Sequence, residues 1–295
     1  MQVGFIGLGV MGRPMVRNLL ARKFPVVVHN RSRGPVDELV NEGAEAARGP
    51  GDIAQRSDVV ITMLPNSAAV EEVVLGEDGV LGSAKPGLII VDMSTVAPST
   101  SRRVAEECSE RGVSALDAPV SGGERGAIEG ALSIMVGGSE EAFTQVRDVL
   151  GAMGKTIVHV GPPGAGQTVK AANQLLVAGI IELVGEAITL LEASGVDPEP
   201  ALNVIAGGLA GNRILDLKAA SMLARDFTPG ARVDLHHKDL GIVMDLARQH
   251  DVSLPVTALV AQLMSALRAT GRGSLDHTAL MLIIEELSGR SRPNS

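Results

Sequence analysis

Two groups of residues in this chain have types and spacing suited to chemistry on a small molecule. The first is Gly7-Leu8-Gly9-Val10-Met11-Gly12, which follows the apolar run Val3-Gly4-Phe5-Ile6 and precedes a helical pattern. The first glycine permits a tight strand-to-helix turn, the second lets the backbone approach a pyrophosphate, and the third allows close packing of helix on sheet. N–H groups at the start of the helix then face the anion. The segment therefore predicts a dinucleotide-binding turn, which is typical of an oxidoreductase.

The second group lies in Gly166-Gln167-Thr168-Val169-Lys170-Ala171-Ala172-Asn173-Gln174. Lys170 and Asn173 are three positions apart, so a helix places them on one face. An ammonium group can donate a proton to a carbonyl oxygen during its reduction, and the absence of tyrosine excludes a tyrosine acid. Lys170 is the predicted general acid. The residues alone leave a second interpretation open, because a lysine in the first turns of a helix is commonly a surface residue.

The end of the second predicted strand carries His29-Asn30-Arg31-Ser32. In dinucleotide folds this position binds the adenine ribose, and an acidic residue there selects NAD through the 2′-hydroxyl. Here no carboxylate is present to repel a 2′-phosphate, and Arg31 is available to pair with it. Asn30, Arg31 and Ser32 therefore favour NADP as the cofactor, with NAD as the alternative. A solvated loop charge is the other interpretation of Arg31.

Three further loops follow predicted strands, at the edge of the sheet where ligands of such folds bind. They are Leu64-Pro65-Asn66, Ser94-Thr95-Val96 and Pro119-Val120-Ser121-Gly122-Gly123. The last loop combines a hydroxyl group with two glycine amides, which can cradle a substrate carboxylate. An ordinary turn has the same composition, so this segment is ambiguous by itself.

Alternating strand and helix patterns from the N-terminus to residue 161 predict an α/β, Rossmann-type doubly wound parallel sheet. The predicted strands are Gln2–Ile6, Pro25–His29, Asp58–Met63, Leu88–Asp92, Ser114–Asp117, Leu132–Val136 and Thr156–Val160, with helices over Val36–Glu42, Asn66–Val74 and Thr100–Arg111 among the connections. A long helix over Gln167–Glu192 then joins this domain to an all-α C-terminal domain. The predicted domains are 1–161, which binds NADP, and 162–295, which binds substrate and forms the dimer.

Composition limits the remaining possibilities. The 295-residue chain has a net charge of -8 and no dense basic run, which disfavours a nucleic-acid partner. A single cysteine, Cys108, excludes an internal disulfide, and the six histidines lack metal-ligand spacing, so we expect no metal. The chain begins directly on a predicted strand without an export signal, so we expect a cytoplasmic protein.

The segment Leu175–Leu191 is apolar almost all round. The uncharged stretch between Lys170 and Glu182 is too short for a membrane span. A homodimer or homotetramer that buries this helix is the predicted assembly.

Taken together, the motifs resemble the β-hydroxyacid dehydrogenase family, which includes 3-hydroxyisobutyrate dehydrogenases. The likeness covers essentially the whole chain and is carried by Phe5–Gly12, Asp117–Gly123, Gly164–Asn173 and Lys238-Asp239-Leu240. It implies that Lys170 is catalytic, and that Ser121, Gly122, Gly123 and Asn173 bind substrate. It also implies that Lys238 reaches both the cofactor and the substrate, and that Leu64, Pro65, Asn66 and Thr95 line the cofactor path.

Within the family, three C-terminal segments resemble the subgroup that reduces tartronate semialdehyde: Gly207–Gly211, Arg232–Leu240 and Asp276–Leu280. Asn30-Arg31-Ser32 departs from that subgroup and is similar to NADPH-using glyoxylate reductases. The expected reaction is reduction of a small semialdehyde carboxylate to a hydroxy acid. His236, His237 or His277 could form a polar end of the substrate pocket, or could be structural.

Several alternatives stay open at this point. A 3-hydroxyisobutyrate dehydrogenase or a glyoxylate/succinic semialdehyde reductase would use the same chemistry on another small substrate. A non-catalytic nucleotide-binding regulator and an imine reductase of related fold are opposed by the intact Lys170, because both usually lack this lysine.

Overall fold

The N-terminal part of the chain is built on one nine-stranded sheet. The computed structural model describes residues 1–290. The strands are β1 (Val3–Ile6), β2 (Val26–His29), β3 (Glu45–Ala46), β4 (Val59–Thr62), β5 (Ile89–Asp92), β6 (Ser114–Asp117), β7 (Val120–Ser121), β8 (Leu132–Gly137) and β9 (Gly154–Gly161). All seven predicted strands are confirmed, and the short β3 and β7 are additional. Both are two residues long, which leaves no periodic pattern to detect.

The strand order is β3-β2-β1-β4-β5-β6-β8-β7, with β9 paired to β8. Strands β3 to β6 on this path are all parallel. The chain leaves β1 toward β2 on one side and returns to β4 on the other, so the order reverses between β1 and β4. In open α/β sheets, ligands bind at the carboxyl ends of the strands at such a switch point.

The parallel arrangement of the βαβ units does not extend to one edge of the sheet. Strand β8 is antiparallel to β6 and β7 and parallel to β9, so the sheet is mixed. Only residues 122–131 connect β7 to β8, which is shorter than the crossover that parallel strands require. The short connection therefore turns the chain back on itself.

Helices cover both faces of this sheet. They are α1 (Gly12–Ala21), α2 (Gly34–Asn41), α3 (Pro50–Arg56), α4 (Ser67–Leu75), α5 (Pro98–Ser109), α6 (Gly123–Ile128) and α7 (Glu140–Gly151). Successive strand residues point to opposite faces. Accordingly Val59 and Ile61 belong to one buried cluster with α1 and α7, whereas Val60 belongs to another with α3, α4 and α5. Cys108 lies on the inner face of α5 in this second cluster, where burial raises the pKa of its thiol to about 12.

The C-terminal part is helical. Its helices are α8 (Ala165–Ala193), α9 (Pro198–Ala206), α10 (Arg213–Ala224), α11 (Val233–Gln249), α12 (Pro255–Leu267) and α13 (Leu280–Leu287). No strand occurs in this part among residues 162–290, although an isolated bridge pairs Arg232 with Asp276. The chain separates into one compact unit over residues 1–170 and a second that begins at Ala171. Each unit has its own apolar core.

Helix α8 presents an apolar stripe on its surface. Leu176, Leu183 and Leu190, at seven-residue spacing, are 60%, 61% and 68% exposed. By length and composition α8 could also cross a membrane, and 39% of its most apolar window is buried. A core helix of a globular protein passes the same test, so length and composition alone are weak evidence for a span.

Candidate active site

The glycine-rich turn after β1 has the geometry of a dinucleotide site. Gly7 has φ +101°, and a Cβ there would overlap the Met63 carbonyl oxygen. A Cβ on Gly12 would overlap the Gly7 carbonyl oxygen, whereas a Cβ on Gly9 would meet no atom within 4 Å. Gly7 and Gly12 are therefore required by the fold itself, and Gly9 leaves the backbone open to a ligand. Because α1 begins at Gly12 without a side-chain cap, its first N–H groups suit the pyrophosphate of a dinucleotide.

Asn30 braces this turn from the end of β2. Its Oδ1 accepts a hydrogen bond of 3.0 Å from the Leu8 N–H, and its Nδ2 donates to the Ser32 carbonyl and hydroxyl oxygens at 3.1 and 2.8 Å. Sequence reasoning assigned Asn30 to the cofactor but missed this bracing role. Arg31 is exposed, and within residues 1–290 the structure describes no ion pair for it. The next arginine, Arg33, pairs with Asp37 at 2.7 Å.

The loops after β4 and β5 are tied together by a buried carboxyl group. Asp92 Oδ1 accepts hydrogen bonds from the Thr62 hydroxyl at 2.8 Å and the Ser94 hydroxyl at 2.5 Å. Ser94 Oγ in turn accepts from the Leu64 N–H at 2.8 Å. Burial raises the pKa of Asp92. This network, which the sequence analysis did not identify, holds the backbone on which Pro65 and Thr95 lie.

Asn66 has a structural function in the same region. Its side chain accepts a hydrogen bond of 2.9 Å from the Ala69 N–H and so caps the N-terminus of α4. Asn66 is exposed at the carboxyl edge of the sheet. The structure thus places Leu64, Pro65 and Asn66 in one loop directly after β4.

The segment Ser121-Gly122-Gly123 lies at the junction of β7 and α6. Gly122 and Gly123 have φ values of +134° and +60°, a backbone region that favours glycine. Ser121 is half-buried and pairs in register with Ser133 of β8. Consecutive main-chain N–H groups in such conformations can form an anion-binding concavity, so the backbone is compatible with the predicted carboxylate cradle.

Lys170 is buried in the second turn of α8, at 7% exposure. The start of that helix is held by Asp117, whose two carboxylate oxygens accept hydrogen bonds from the Gly164 N–H at 2.7 Å and the Gln167 N–H at 2.9 Å. Burial raises the pKa of Asp117, although these N–H donors act in the opposite direction. The surface interpretation of Lys170 therefore does not apply in this structure.

Asn173 and Lys238 are connected by a chain of side-chain contacts in the C-terminal unit. Asn173 Nδ2 donates to Gln174 Oε1 at 2.9 Å, Gln174 Nε2 donates to Asp239 Oδ2 at 2.6 Å, and Asp239 Oδ1 lies 3.1 Å from Lys238 Nζ. Sequence reasoning missed Gln174 and Asp239 as the connecting residues. Asp239 follows Lys238 directly in the chain, but nothing in the sequence linked either residue to α8.

His236 and His277 face each other inside the C-terminal unit. Their Nδ1 atoms are 2.9 Å apart, and His236 Nε2 lies 3.2 Å from the Gln174 carbonyl oxygen. Because a carbonyl oxygen only accepts, His236 donates from Nε2, and the two Nδ1 atoms share a second hydrogen bond. The neighbouring His237 instead contacts Ser265 Oγ at 3.0 Å.

Asp276, next to this pair, is a buried carboxylate with many partners. It accepts hydrogen bonds from Lys218 Nζ, from the Gly230 and Ala231 N–H groups and from Thr278, at 2.8 to 3.2 Å. Burial alone would raise the pKa of Asp276, but His277, these N–H groups and Lys218 outweigh it and lower the pKa to about 2. Among residues 1–290, no group of three or more histidine, cysteine or acidic side chains could hold a metal ion.

Unlike Asp276, the Glu182 carboxyl group on α8 is buried without hydrogen-bond partners in the described structure. Burial and, to a lesser extent, the nearby Glu186 carboxylate raise its pKa to about 7.

Comparisons with known proteins identify related sequences and structures. Residues 2–161 match the family model of the NAD binding domain of 6-phosphogluconate dehydrogenase, and residues 164–284 match that for NAD-binding of NADP-dependent 3-hydroxyisobutyrate dehydrogenase. The 2-hydroxy-3-oxopropionate reductase of Escherichia coli is 42% identical, with 97% of each chain covered. The 2-(hydroxymethyl)glutarate dehydrogenase of Eubacterium barkeri is 39% identical over 98% of this chain and 97% of the relative. A solved Mycobacterium tuberculosis 3-hydroxyisobutyrate dehydrogenase with L-serine has a TM-score of 0.86 and 31% identity, over 95% of this chain and 97% of that chain.

Proposed function

We propose that this chain, which belongs to the 3-hydroxyisobutyrate dehydrogenase-like family of β-hydroxyacid dehydrogenases, reduces tartronate semialdehyde to glycerate with NADPH. It is an NAD(P)-dependent oxidoreductase that acts on a small hydroxy acid. The observation that carries the proposal is the buried Lys170, held in the first turns of a helix that is anchored to the carboxyl edge of the sheet. The semialdehyde is proposed from the E. coli relative, which is named for 2-hydroxy-3-oxopropionate, and from the C-terminal segments that resemble its subgroup.

Different residues bind the cofactor, donate the proton and bind the substrate in this proposal. The bound dinucleotide supplies the hydride, and the open face of Gly9 together with the uncapped start of α1 suits its pyrophosphate. Negative charge develops on the carbonyl oxygen during reduction, and the Lys170 ammonium stabilises it and donates a proton. We propose that the substrate is bound by Ser121, Gly122, Gly123, Asn173 and Lys238.

Lys170→Ala tests the acid. We expect loss of turnover, while NADPH binding measured by titration calorimetry is retained. Oxidation of the alcohol needs a neutral lysine, so the wild-type oxidation rate should rise toward alkaline pH. Turnover by Lys170→Ala, or oxidation that is fastest below neutral pH, would contradict the assignment.

The substrate is tested by comparing kcat/KM for tartronate semialdehyde, methylmalonate semialdehyde, glyoxylate and succinic semialdehyde. We expect the highest value with tartronate semialdehyde. The second candidate is oxidation of a 3-hydroxy acid, which the similarity to the 3-hydroxyisobutyrate dehydrogenase solved with L-serine favours. A higher kcat/KM for 3-hydroxyisobutyrate or L-serine would replace the first proposal and leave the role of Lys170 in place.

Arg31 carries the proposed preference for NADP. Its guanidinium is exposed at the end of β2, where a 2′-phosphate would bind. Arg31→Ala should raise the KM for NADPH on the order of tenfold or more and leave the KM for NADH nearly unchanged. Arg33→Ala is the matched control, because Arg33 already pairs with Asp37. An unchanged NADPH/NADH ratio in Arg31→Ala would refute the preference.

We also propose a cytoplasmic homodimer or homotetramer in which domain 162–295 provides the subunit contacts and domain 1–161 binds the cofactor. The exposed stripe of Leu176, Leu183 and Leu190 supports burial of α8 between subunits. Leu183→Glu should reduce the molar mass measured by light scattering, whereas Leu287→Glu, an exposed leucine on α13, should not. A monomeric wild type would contradict this assembly.

A further inference from the structure

The start of α8 is fixed to the sheet at two successive points. Asp117, the last residue of β6, binds the N–H groups of Gly164 and Gln167 with its two carboxylate oxygens at 2.7 and 2.9 Å. The backbone comes this close because Gly166 has no side chain: a Cβ there would lie 2.9 Å from Asp117 Oδ2 and would overlap the Met135 carbonyl oxygen. Asp117 thereby sets the position of the helix end.

The second point is the Gln167 side chain, which is 1% exposed. Its Oε1 accepts a hydrogen bond of 3.1 Å from the Val96 N–H, and its Nε2 donates to the Ser94 carbonyl oxygen at 2.8 Å. Both contacts are to the loop after β5, which contains Thr95. A side chain held at both ends of its amide fixes the rotation of α8 about its own axis.

Lys170 lies three residues after Gln167, so the two side chains project from the same face of α8. The rotation that Gln167 imposes therefore also sets the direction in which Lys170 points. The position imposed by Asp117 sets its height relative to the sheet edge.

The negative charge of Asp117 also affects the Lys170 ammonium group. The positive end of the helix macrodipole lies at the start of α8 and disfavours an ammonium group in the first turns. Asp117 accepts N–H donors on both oxygens, as a carboxylate does, and its negative charge opposes this effect. Lys170 is buried, so solvent screens the interaction only weakly.

We infer that Asp117 and Gln167 are positioning residues for proton transfer: Gln167 aims Lys170 and Asp117 both anchors its helix and supports its charge. The inference rests on the proposed role of Lys170 as the acid. Neither residue needs to touch the substrate or the cofactor for this function.

The test compares Gln167→Met and Asp117→Asn with Ser139→Ala. Ser139 caps α7 by accepting from the Ala142 N–H at 3.2 Å, so its replacement removes a helix cap and none of the hydrogen bonds of Asp117 or Gln167. We expect kcat to fall at least tenfold in Gln167→Met and Asp117→Asn, with the calorimetric Kd for NADPH within twofold of the wild type. Ser139→Ala should lower the Tm and leave kcat unchanged.

The pH dependence of alcohol oxidation distinguishes an electrostatic role of Asp117 from a purely structural one. Asp117→Asn removes the negative charge, so alcohol oxidation should reach its half-maximal rate at a lower pH, by half a unit or more. Gln167→Met and Ser139→Ala should leave this midpoint unchanged. A purely structural role for Asp117 would lower the Tm without moving the midpoint, and would overturn the charge argument.

Wild-type kcat in Gln167→Met overturns the positioning role, and this variant decides the question if Asp117→Asn does not fold. Lys170→Ala keeps the two proposals distinct. If Lys170→Ala still turns over, the proposed function fails. If it is inactive while Gln167→Met and Asp117→Asn retain wild-type kcat and pH midpoint, only the present inference fails.

Discussion

The two compact units position their predicted site residues by different means. In the N-terminal unit the dinucleotide turn after β1 depends on glycines that allow close backbone approach, as at Gly7 and Gly12. In the C-terminal unit, Asn173 and Lys238 are held by side chains, through Gln174 and Asp239. The same unit contains the buried ionisable groups Glu182, Asp276 and His236.

The difference concerns which perturbations each unit tolerates. A backbone turn is insensitive to pH and fails when a side chain is added where none fits. A buried polar network accepts changes of volume more readily but responds to protonation, because each buried ionisable group couples folding to pH. The glycine turns of the N-terminal unit should therefore fail by steric overlap. The buried ionisable groups of the C-terminal unit, like Asp92 and Asp117 in the N-terminal unit, should make stability depend on pH.

The largest expected effect separates two glycines of the same turn. Gly12→Ala places a methyl group onto the Gly7 carbonyl oxygen, a backbone atom that cannot move freely, and should cost on the order of 3 kcal/mol of stability and abolish NADPH binding. Gly9→Ala meets open space, so its Tm without cofactor should equal the wild type while NADPH binding weakens. Thermal unfolding and calorimetric titration measure both quantities. A normal Tm in Gly12→Ala would refute the steric account.

The next effect belongs to Glu182 in the C-terminal unit. Its pKa is raised to about 7, so the folded state holds a proton that the unfolded chain has released, and stability falls as the pH rises through 7. Glu182→Gln should match the wild type near pH 4 and exceed its unfolding free energy by about 3 kcal/mol above pH 8. Glu186→Gln, one turn away and exposed, is the control and should change little. Denaturant titration at several pH values would expose a pH-independent difference, which would contradict this account.

Asp276 should show the opposite pH dependence. Its pKa is lowered to about 2, so its contribution is present above the unfolded-state pKa of about 4 and is lost as the pH falls toward 2. Asp276→Asn should lower the unfolding free energy by about 2 kcal/mol at pH 7, with a smaller difference at pH 3. Asp245→Asn, at an exposed ion pair with Arg248, should have little effect at either pH. Equal losses at pH 7 and pH 3 would argue against an ionic contribution.

The smallest effect distinguishes adjacent histidines. His236→Ala removes the hydrogen-bond partner of the buried His277 and should cost about 1 to 2 kcal/mol. His237 contacts the half-buried Ser265, so His237→Ala should cost less. Thermal unfolding of the two variants gives the order directly. A larger loss in His237→Ala would contradict the structural role of the pair.

Periodicity and glycine spacing were sufficient for much of the fold. The seven predicted strands and the long helix are local patterns, and each was found within two residues of its predicted ends. The antiparallel edge at β8 was missed, because it depends on how a short connection folds back and not on the strand's own residues. The exposure of Leu176, Leu183 and Leu190 was also not evident from a helix that is apolar almost all round.

The predicted site residues were found as motifs, whereas their partners were not. Gln167 contacts Ser94, and Gln174 contacts Asp239, across 73 and 65 positions of the chain. No local pattern encodes such a pair, because the contact exists only after both elements have packed. The same reason applies to three buried aspartates, Asp92, Asp117 and Asp276. Each of them has hydrogen-bond partners that lie far away in the sequence.

By itself, the sequence determined the dinucleotide turn, the strand and helix succession and the lysine on α8, since backbone conformation and amphipathic spacing are local properties. Tertiary structure alone decided that Lys170 is buried, that Asp117 anchors its helix, and that Glu182 and Asp276 have pKa values displaced in opposite directions. Burial and hydrogen-bond partners determine the free energy of a charge, and the folded chain supplies both from residues far apart in sequence.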